Sequence, residues 1–108
     1  MPRKDEILSE LLARKTREIV ARSGNYAAFL RTAARNYKYT FREQVLIHAQ
    51  RPDATACAEI DIWNRLGRRV NRGATGIALL RDPSLSYRIR YVFDLSLIHI
   101  SEPTRLGM

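Results

Sequence analysis

The sequence has few of the residues that most often build disulfides, metal centres and catalytic sites. Its 108 residues include one cysteine, Cys57, and two histidines, His48 and His99. A single thiol excludes an internal disulfide and a cysteine-rich zinc site, and it favours a reducing, cytoplasmic setting. No apolar run approaches the roughly 20 residues that a membrane-spanning helix needs, so we expect no membrane partner.

Lysine is also scarce, yet the chain is strongly basic. Nineteen Lys and Arg residues stand against eleven Asp and Glu, for a formal net charge of +8, and only three of the cations are lysines. Arginine presents a planar fork that grips phosphate and stacks on bases. A small basic domain typically meets nucleic acid or another acidic surface. The alternative interpretation is a basic surface that is merely solvated.

Helical periodicity dominates the first half of the chain. Apolar residues recur at helical spacing over residues 5–22, 26–37 and 41–50, which predicts three helices. Gly24 is expected to end the first helix in a left-handed conformation, and Asn25 is expected to cap the second.

The third helix has the clearest boundaries. Thr40 and Glu43 have the spacing of a capping box, and Pro52 disfavours helix in the residue before it. Residues 59–66 fit either a short helix or a strand, and the helix is preferred because Ile60 and Trp63 are three residues apart.

Short strands are predicted after residue 67. Residues 69–71 and 76–81 read as strands around a turn in which Gly73 and Gly76 supply positive φ. Residues 87–93 alternate, with Tyr and Phe on the inward face and two arginines on the other. The predicted fold class is α+β, with three N-terminal helices plus a short fourth packed on a small antiparallel β-sheet.

The last residues do not continue this pattern. Residues 95–105 read Leu-Ser-Leu-Ile-His-Ile-Ser-Glu-Pro-Thr-Arg, and all eleven resemble the translation of a transposase-end adapter used to prepare sequencing libraries. We therefore divide the chain into an N-terminal helix (1–24), a domain (25–94) and a non-native tail (95–108). The domain is expected to be truncated. Alternation in the tail still favours a strand, whose pairing would carry no functional information.

Side chains with catalytic chemistry are isolated along the sequence. His48 stands alone on a predicted helix, Cys57 has no histidine partner at a motif spacing, and Glu59 and Asp61 lack a positioned substrate. The glycines of the turn lack the strand–GxxxxGK[ST]–helix context of a phosphate loop. We therefore expect a non-catalytic protein with no metal and no cofactor.

Aromatic residues are interleaved with cations in two segments. Residues 35–42 hold three aromatics and three cations, and residues 63–72 hold one Trp with four arginines. Single strands are bound by rings that stack on unpaired bases and by cations that follow the phosphates. Trp63 also fits a core position, as does Phe41. The predicted DNA-binding residues are Tyr37, Lys38, Tyr39, Arg42, Trp63, Arg68, Arg69, Arg72 and Gly73.

A wider pattern covers residues 25–94. It consists of residues 29–39, residues 51–58, Trp63, the Gly73-x-x-Gly76 turn and the strand end at Phe93–Asp94. Together these motifs resemble the N-terminal domain of ArdC-type antirestriction proteins. The resemblance implies a single-stranded-DNA-binding domain at the head of a large protein from a conjugative or integrative element. Helicase or methylase domains downstream would be its other partners.

Two positions depart from that family pattern. His48 stands where Tyr is expected, and Thr75 stands where Lys is common. The second departure removes one cation from the turn, so the turn is a weaker candidate for the main phosphate contact.

Two other functions stay open at the level of sequence. The second and third helices could form a helix-turn-helix that presents Arg42, Gln44 and His48 to the major groove of duplex DNA. The chain could instead be a docking domain for domains downstream. Exposed Tyr37 and Tyr39 would favour single strands, because a duplex reader has no need of them.

Overall fold

The structure is a computed structural model, and it describes residues 3–80 and 89–100. Within these ranges the chain forms four α-helices, five short strands and one 3-10 turn. The elements in chain order are α1 (Lys4–Ala21), α2 (Ser23–Arg35), α3 (Phe41–Gln50), β1 (Cys57–Ala58), α4 (Ile60–Arg65), β2 (Arg68–Val70), β3 (Ile77–Leu80), β4 (Ile89–Asp94), the 3-10 turn (Leu95–Leu97) and β5 (Ile98–Ile100). None of the described helices is long and apolar enough to cross a membrane. The predicted α+β class, with three helices and a short fourth, is confirmed.

The break between α1 and α2 differs from the prediction. Arg22 alone separates the helices, with an extended backbone at φ −141° and ψ 142°. Gly24 lies inside α2 and does not have a positive φ. Asn25 caps nothing at the start of α2, because its Nδ2 donates to the carbonyl of Glu18 at 2.9 Å. Carbonyls in the last turn of a helix lack intrahelical partners, so Asn25 stabilises the end of α1 instead.

Helix α3 begins and ends as predicted. The Thr40 hydroxyl accepts from the Glu43 backbone N–H at 3.3 Å, and the Glu43 carboxylate accepts from the Thr40 N–H at 3.0 Å. This reciprocal capping box satisfies donors that the first turn would otherwise leave free. The helix ends at Gln50, two residues before Pro52.

Two antiparallel sheets follow. The three-stranded sheet has the order β1-β4-β3, with Cys57 opposite Asp94 and Ile77 opposite Val92. A separate two-stranded sheet pairs β2 with β5, with Val70 opposite Ile98. Strand β5 lies in the adapter-like tail, so its pairing with β2 carries no functional information.

Strand β4 differs from the prediction at Val92, which was placed on the outward face, whereas Ile89 of the predicted inward face does pack against the core. Val92 is buried and packs with the core, whereas Tyr91 is exposed. The reason is helix packing, because Val92 lies on the face that Leu8 of α1 and Leu46 of α3 cover. Tyr87 and Arg88, which belonged to the predicted strand, lie outside the described residues.

The helices and the larger sheet share one core. Leu8 of α1 packs with Leu46 and Ile47 of α3, Leu79 of β3 and Val92 of β4. A second cluster joins all three long helices through Ile19, Phe29 and Val45. The N-terminal helix therefore contributes to the same core as the helices and strands that follow it.

The two turn glycines have different roles. Gly73 has a positive φ of 79°, as predicted. Gly76 does not, and its requirement is space, because a Cβ there would lie 3.1 Å from the ring of Phe93. Glycine at this position lets β4 pack its aromatic side chain directly on the backbone.

Candidate nucleic-acid interface

The turn between α2 and α3 is fixed by Asn36. This side chain is only 3% exposed, and its Nδ2 donates to the carbonyls of Thr32 at 2.9 Å and Ala54 at 3.2 Å. The Asn36 carbonyl accepts from the Tyr39 N–H at 3.2 Å and from Gln44 Nε2 at 3.1 Å. The turn is thus bonded to both helices and to the segment that leads into β1.

This turn presents Tyr37 and Lys38 to solvent. Tyr37 is 73% exposed, and Lys38 is exposed too. Within the described part of the chain, the Lys38 ammonium has neither a hydrogen bond nor an ion pair. Both side chains border a cleft of about 260 Å³. The residues that line the cleft are Arg35, Asn36, Tyr37, Lys38, Tyr39, Ala56 and Cys57.

Tyr39 forms a wall of the cleft. Its hydroxyl donates to the Cys57 carbonyl at 2.8 Å, and the Arg90 guanidinium lies 5.6 Å from its ring centroid. Burial, followed by the nearby Cys57, raises the pKa of Tyr39 to about 12. The half-buried ring is thus held by the protein on one side, and it is less available for stacking than the sequence suggested.

Arg90 is neutralised by two carboxylates. It forms ion pairs with Glu43 and, at 3.5 Å, with Glu59. Burial alone would raise the pKa of Glu43, but hydrogen bonds from Arg90 and Thr40 outweigh it and lower this pKa. Arg90 therefore braces α3 against β4 and adds no free charge to the surface.

Arg35 was not among the predicted binding residues, although it belongs to the aromatic-and-cation segment. Its Nε donates to the Ala54 carbonyl and its Nη2 to the Pro52 carbonyl, both at 2.9 Å. These bonds fix the guanidinium at the cleft, and they bind α2 to the loop that precedes β1. The sequence signal was present in the segment, but the contacts with Pro52 and Ala54 were not visible in it.

Cys57 lines the cleft with a half-buried thiol. Burial, followed by the charge of Asp94, raises the pKa of this thiol to about 12. Since the thiolate is the nucleophilic form, Cys57 stays a neutral packing group at neutral pH.

The predicted arginine cluster lies on a second surface. Arg68 and Arg69 of β2 line a cleft of about 330 Å³ together with Asn64 and Gly67. Arg72 follows in the exposed turn that contains Gly73. Among described residues, none of these three guanidinium groups has a hydrogen-bond or ion-pair partner. Their charges are therefore available to an anionic ligand.

Trp63, a predicted DNA-binding residue, is buried, and Phe41, which fitted a core position, is exposed. Trp63 is 5% exposed and its Nε1 donates to the Phe93 carbonyl at 2.9 Å. A buried indole has no free face, so Trp63 is removed from the set of stacking residues. Phe41 is 53% exposed with its ring edge-on to Phe29 at 5.6 Å, and it adjoins the exposed predicted residue Arg42.

Helix α3 does not present Gln44 and His48 outward. Gln44 bonds to the Asn36 carbonyl, and buried His48 has its Nδ1 2.8 Å from the Thr32 hydroxyl. That hydroxyl donates to the Pro52 carbonyl at 2.8 Å, so His48 Nδ1 carries the proton and donates to Thr32. Burial, then the charges of Lys15 and Arg35, lowers the pKa of His48.

No metal centre is found among residues 3–80 and 89–100, because no three His, Cys, Asp or Glu side chains are grouped to hold one. Comparison with models of protein families, with curated proteins and with solved structures found no match. The resemblance to ArdC-type domains therefore depends on the sequence motifs alone.

Proposed function

We propose that this chain is a non-catalytic module that binds single-stranded DNA largely without regard to sequence. The observation that carries the proposal is the exposed Tyr37 beside Lys38, which has no partner among the described residues, on a turn that the hydrogen bonds of Asn36 hold in place. A ring that stacks on a base and a cation that meets the next phosphate are the two elements of single-strand binding. The ArdC-like motifs favour the same function, in a protein of a mobile element that exposes single strands during transfer.

The arginine cluster provides a second contact. Arg68, Arg69 and Arg72 are uncommitted within the described structure, and the chain as a whole carries a net charge of +8. Phosphate contacts of this kind supply affinity without sequence information. In this proposal the three arginines bind the phosphate backbone of the DNA, while the turn at Tyr37 binds the bases. Arg42, with Phe41 beside it, extends the aromatic and basic surface.

The duplex-binding alternative has less support. A recognition helix must direct polar side chains into the groove, whereas Gln44 and His48 of α3 are bonded inside the protein. The docking alternative is favoured by one observation: α4 and the residue that follows it expose three apolar side chains, Ile60, Ile62 and Leu66. Domains downstream in a longer protein would be the partners of that surface. The compartment we propose is the cytoplasm.

The test is a titration of the full chain into labelled single-stranded and duplex oligonucleotides at several salt concentrations. We expect preference for the single strand, with log K falling against log salt at a slope of about −3 for some four phosphate contacts. Tighter duplex binding would favour the helix-turn-helix, and a folded protein that binds neither would favour docking.

Matched variants locate the phosphate contacts. Replacing Arg69 and Arg72 with Gln should weaken binding and reduce the salt slope by about 1.4. Replacing Arg17 and Arg22, two exposed arginines of the α1 region, removes the same charge elsewhere. Equal effects of the two double variants would show that only the overall charge matters.

A further inference from the structure

We propose that the cleft between the α2–α3 turn and β1 is a subsite for one unpaired nucleobase. The base would lie against Tyr37, and the adjoining phosphate would lie beside Lys38. The inference rests on the proposed function and adds to it the place where a base is bound.

The dimensions of the cleft suit a single base. Its volume of about 260 Å³ lies just below the roughly 300–1,000 Å³ of pockets for drug-sized ligands. A lone aromatic heterocycle is smaller than such ligands, whereas a base pair in a duplex is wide and stacked on both faces. The cleft therefore admits a base only after it has left the helical stack.

Asn36 lines the cleft and carries a hydrogen-bond acceptor that has no partner among the described residues. The Oδ1 atom of Asn36 is buried and has no donor among the described residues. Its amide cannot flip, because Nδ2 already donates to the carbonyls of Thr32 and Ala54. Flipping would direct the amide oxygen toward two other oxygens.

This acceptor matches what an unpaired base presents. Each of the four bases carries at least one N–H on its Watson–Crick edge, and pairing uses that edge in a duplex. Asn36 Oδ1 is closed off from solvent, so a base whose face contacts Tyr37 would reach this acceptor only after a small opening of the turn. The same acceptor serves any base, which agrees with binding that tolerates sequence.

The cleft is also formed before a ligand arrives. Hydrogen bonds of Asn36, Arg35 and Tyr39 join the turn to the segment that contains Ala54 and Cys57. A site that is already ordered loses less conformational entropy on binding. Tyr37 contributes a rigid ring with few rotatable bonds, which limits the cost further.

A double-mutant cycle between the protein and the DNA tests the subsite. The two ligands are a single strand of about ten nucleotides, within the usual range of single-strand sites, and an abasic strand with the same number of phosphates. The protein variants are Tyr37→Ala and Tyr26→Ala, since Tyr26 is an exposed tyrosine of α2 that does not line the cleft.

We expect Tyr37→Ala to weaken binding of the normal strand by about 5- to 140-fold, as the loss of one base stack implies. Binding of the abasic strand should be unchanged, because it has no base to stack. Tyr26→Ala should bind both strands like the unmodified protein. Tyr37→Phe should retain the affinity, because the ring is kept.

Lys38→Gln gives an independent measurement. This variant should weaken the binding of the normal and the abasic strand equally, since both strands carry phosphates. The base subsite is wrong if Tyr37→Ala binds the normal strand as tightly as the unmodified protein does. It is also wrong if this variant loses affinity for the normal and the abasic strand alike. In both cases the proposed function stands. If the unmodified protein binds no single strand at all, the proposed function fails and the subsite with it.

Discussion

The Oδ1 atom of Asp94 accepts a hydrogen bond from the backbone N–H of Thr55 at 2.7 Å. The same oxygen accepts from the N–H of Ala56 at 3.1 Å, and Oδ2 accepts from the Ser96 hydroxyl at 2.6 Å. Asp94 is only 2% exposed. One buried carboxylate thereby fixes the end of β4 to the segment that forms the Cys57 wall of the cleft.

Replacing Asp94 with Asn should destabilise the protein by roughly 2–4 kcal/mol, because an amide NH₂ would then face backbone donors. The free energy of unfolding in urea measures this loss. Asp61→Asn, a change at an exposed acid of α4, is the control and should stay within about 0.5 kcal/mol.

The pH dependence of the Asp94 variant checks the mechanism. Burial raises the pKa of Asp94, but hydrogen bonds from Ser96, Thr55 and Ala56 prevail and lower it. A carboxyl whose pKa is lowered by folding stabilises the protein at pH values above its pKa in the unfolded chain, near about 3.9. This stabilisation is lost as the pH falls through the pKa of the carboxyl in the folded protein. The stability difference between the unmodified protein and Asp94→Asn should therefore narrow below about pH 4. A constant difference would contradict this account.

Much of the architecture was predictable because it depends on local signals. The capping box at Thr40 and Glu43 and the stop near Pro52 are set by residues three or fewer positions from the helix ends. The same holds for the positive φ of Gly73. Short-range hydrogen bonds and backbone sterics determine such features, so they can be read directly from the sequence.

The predictions were wrong where contacts between residues distant in sequence determine which side chains are buried. Trp63 is buried because β4 supplies the Phe93 carbonyl to its indole, and the sequence does not indicate that β4 passes there. Val92 faces inward because α1 and α3 pack on that face of the sheet, and alternation along the strand does not indicate which face the helices cover. Asn36 shows the same limit, since its bond to Ala54 joins residues eighteen positions apart and shapes the cleft.

His48 should make folding sensitive to mild acid. Burial, with the charges of Lys15 and Arg35, holds its folded pKa below 6.5. The contribution of the neutral His48 ring to the free energy of unfolding is therefore fully present above pH 6.5. It is lost as the pH falls toward the pKa of His48 in the folded protein, with a slope of at most about 1.4 kcal/mol per pH unit. Urea unfolding between pH 7 and 5 measures the slope, which His48→Gln should flatten. Parallel slopes in the two proteins would refute the assignment.

Cys57 should resist alkylation in the folded protein. A thiol pKa of about 12 reduces the thiolate at pH 8 on the order of a thousandfold relative to a free cysteine. Iodoacetamide labelling followed by mass spectrometry should be correspondingly slow in buffer and fast in urea. Because the chain has one cysteine, the mass change reports this site alone. Rapid labelling without denaturant would contradict the raised pKa.

Shortening the chain tests the interpretation of the tail. A chain that ends at Leu97 loses β5, and with it three residues of pairing to β2 and the 2.6 Å contact between His99 Nδ1 and Asn71. The larger sheet and the core lie within residues 8–94, so we expect cooperative unfolding with a loss of roughly 1–3 kcal/mol.

The function of the shortened chain is the stricter measurement. If β5 is not native, the arginines of β2 contact phosphate through their side chains alone, and single-strand affinity should stay within about twofold of the full chain. A chain that ends at Ile100 keeps β5 and is the matched control. Loss of folding only in the shorter chain would show that β5 is an integral strand of the folded chain, and loss of affinity in a shorter chain that still folds would show that the arginines of β2 depend on β5.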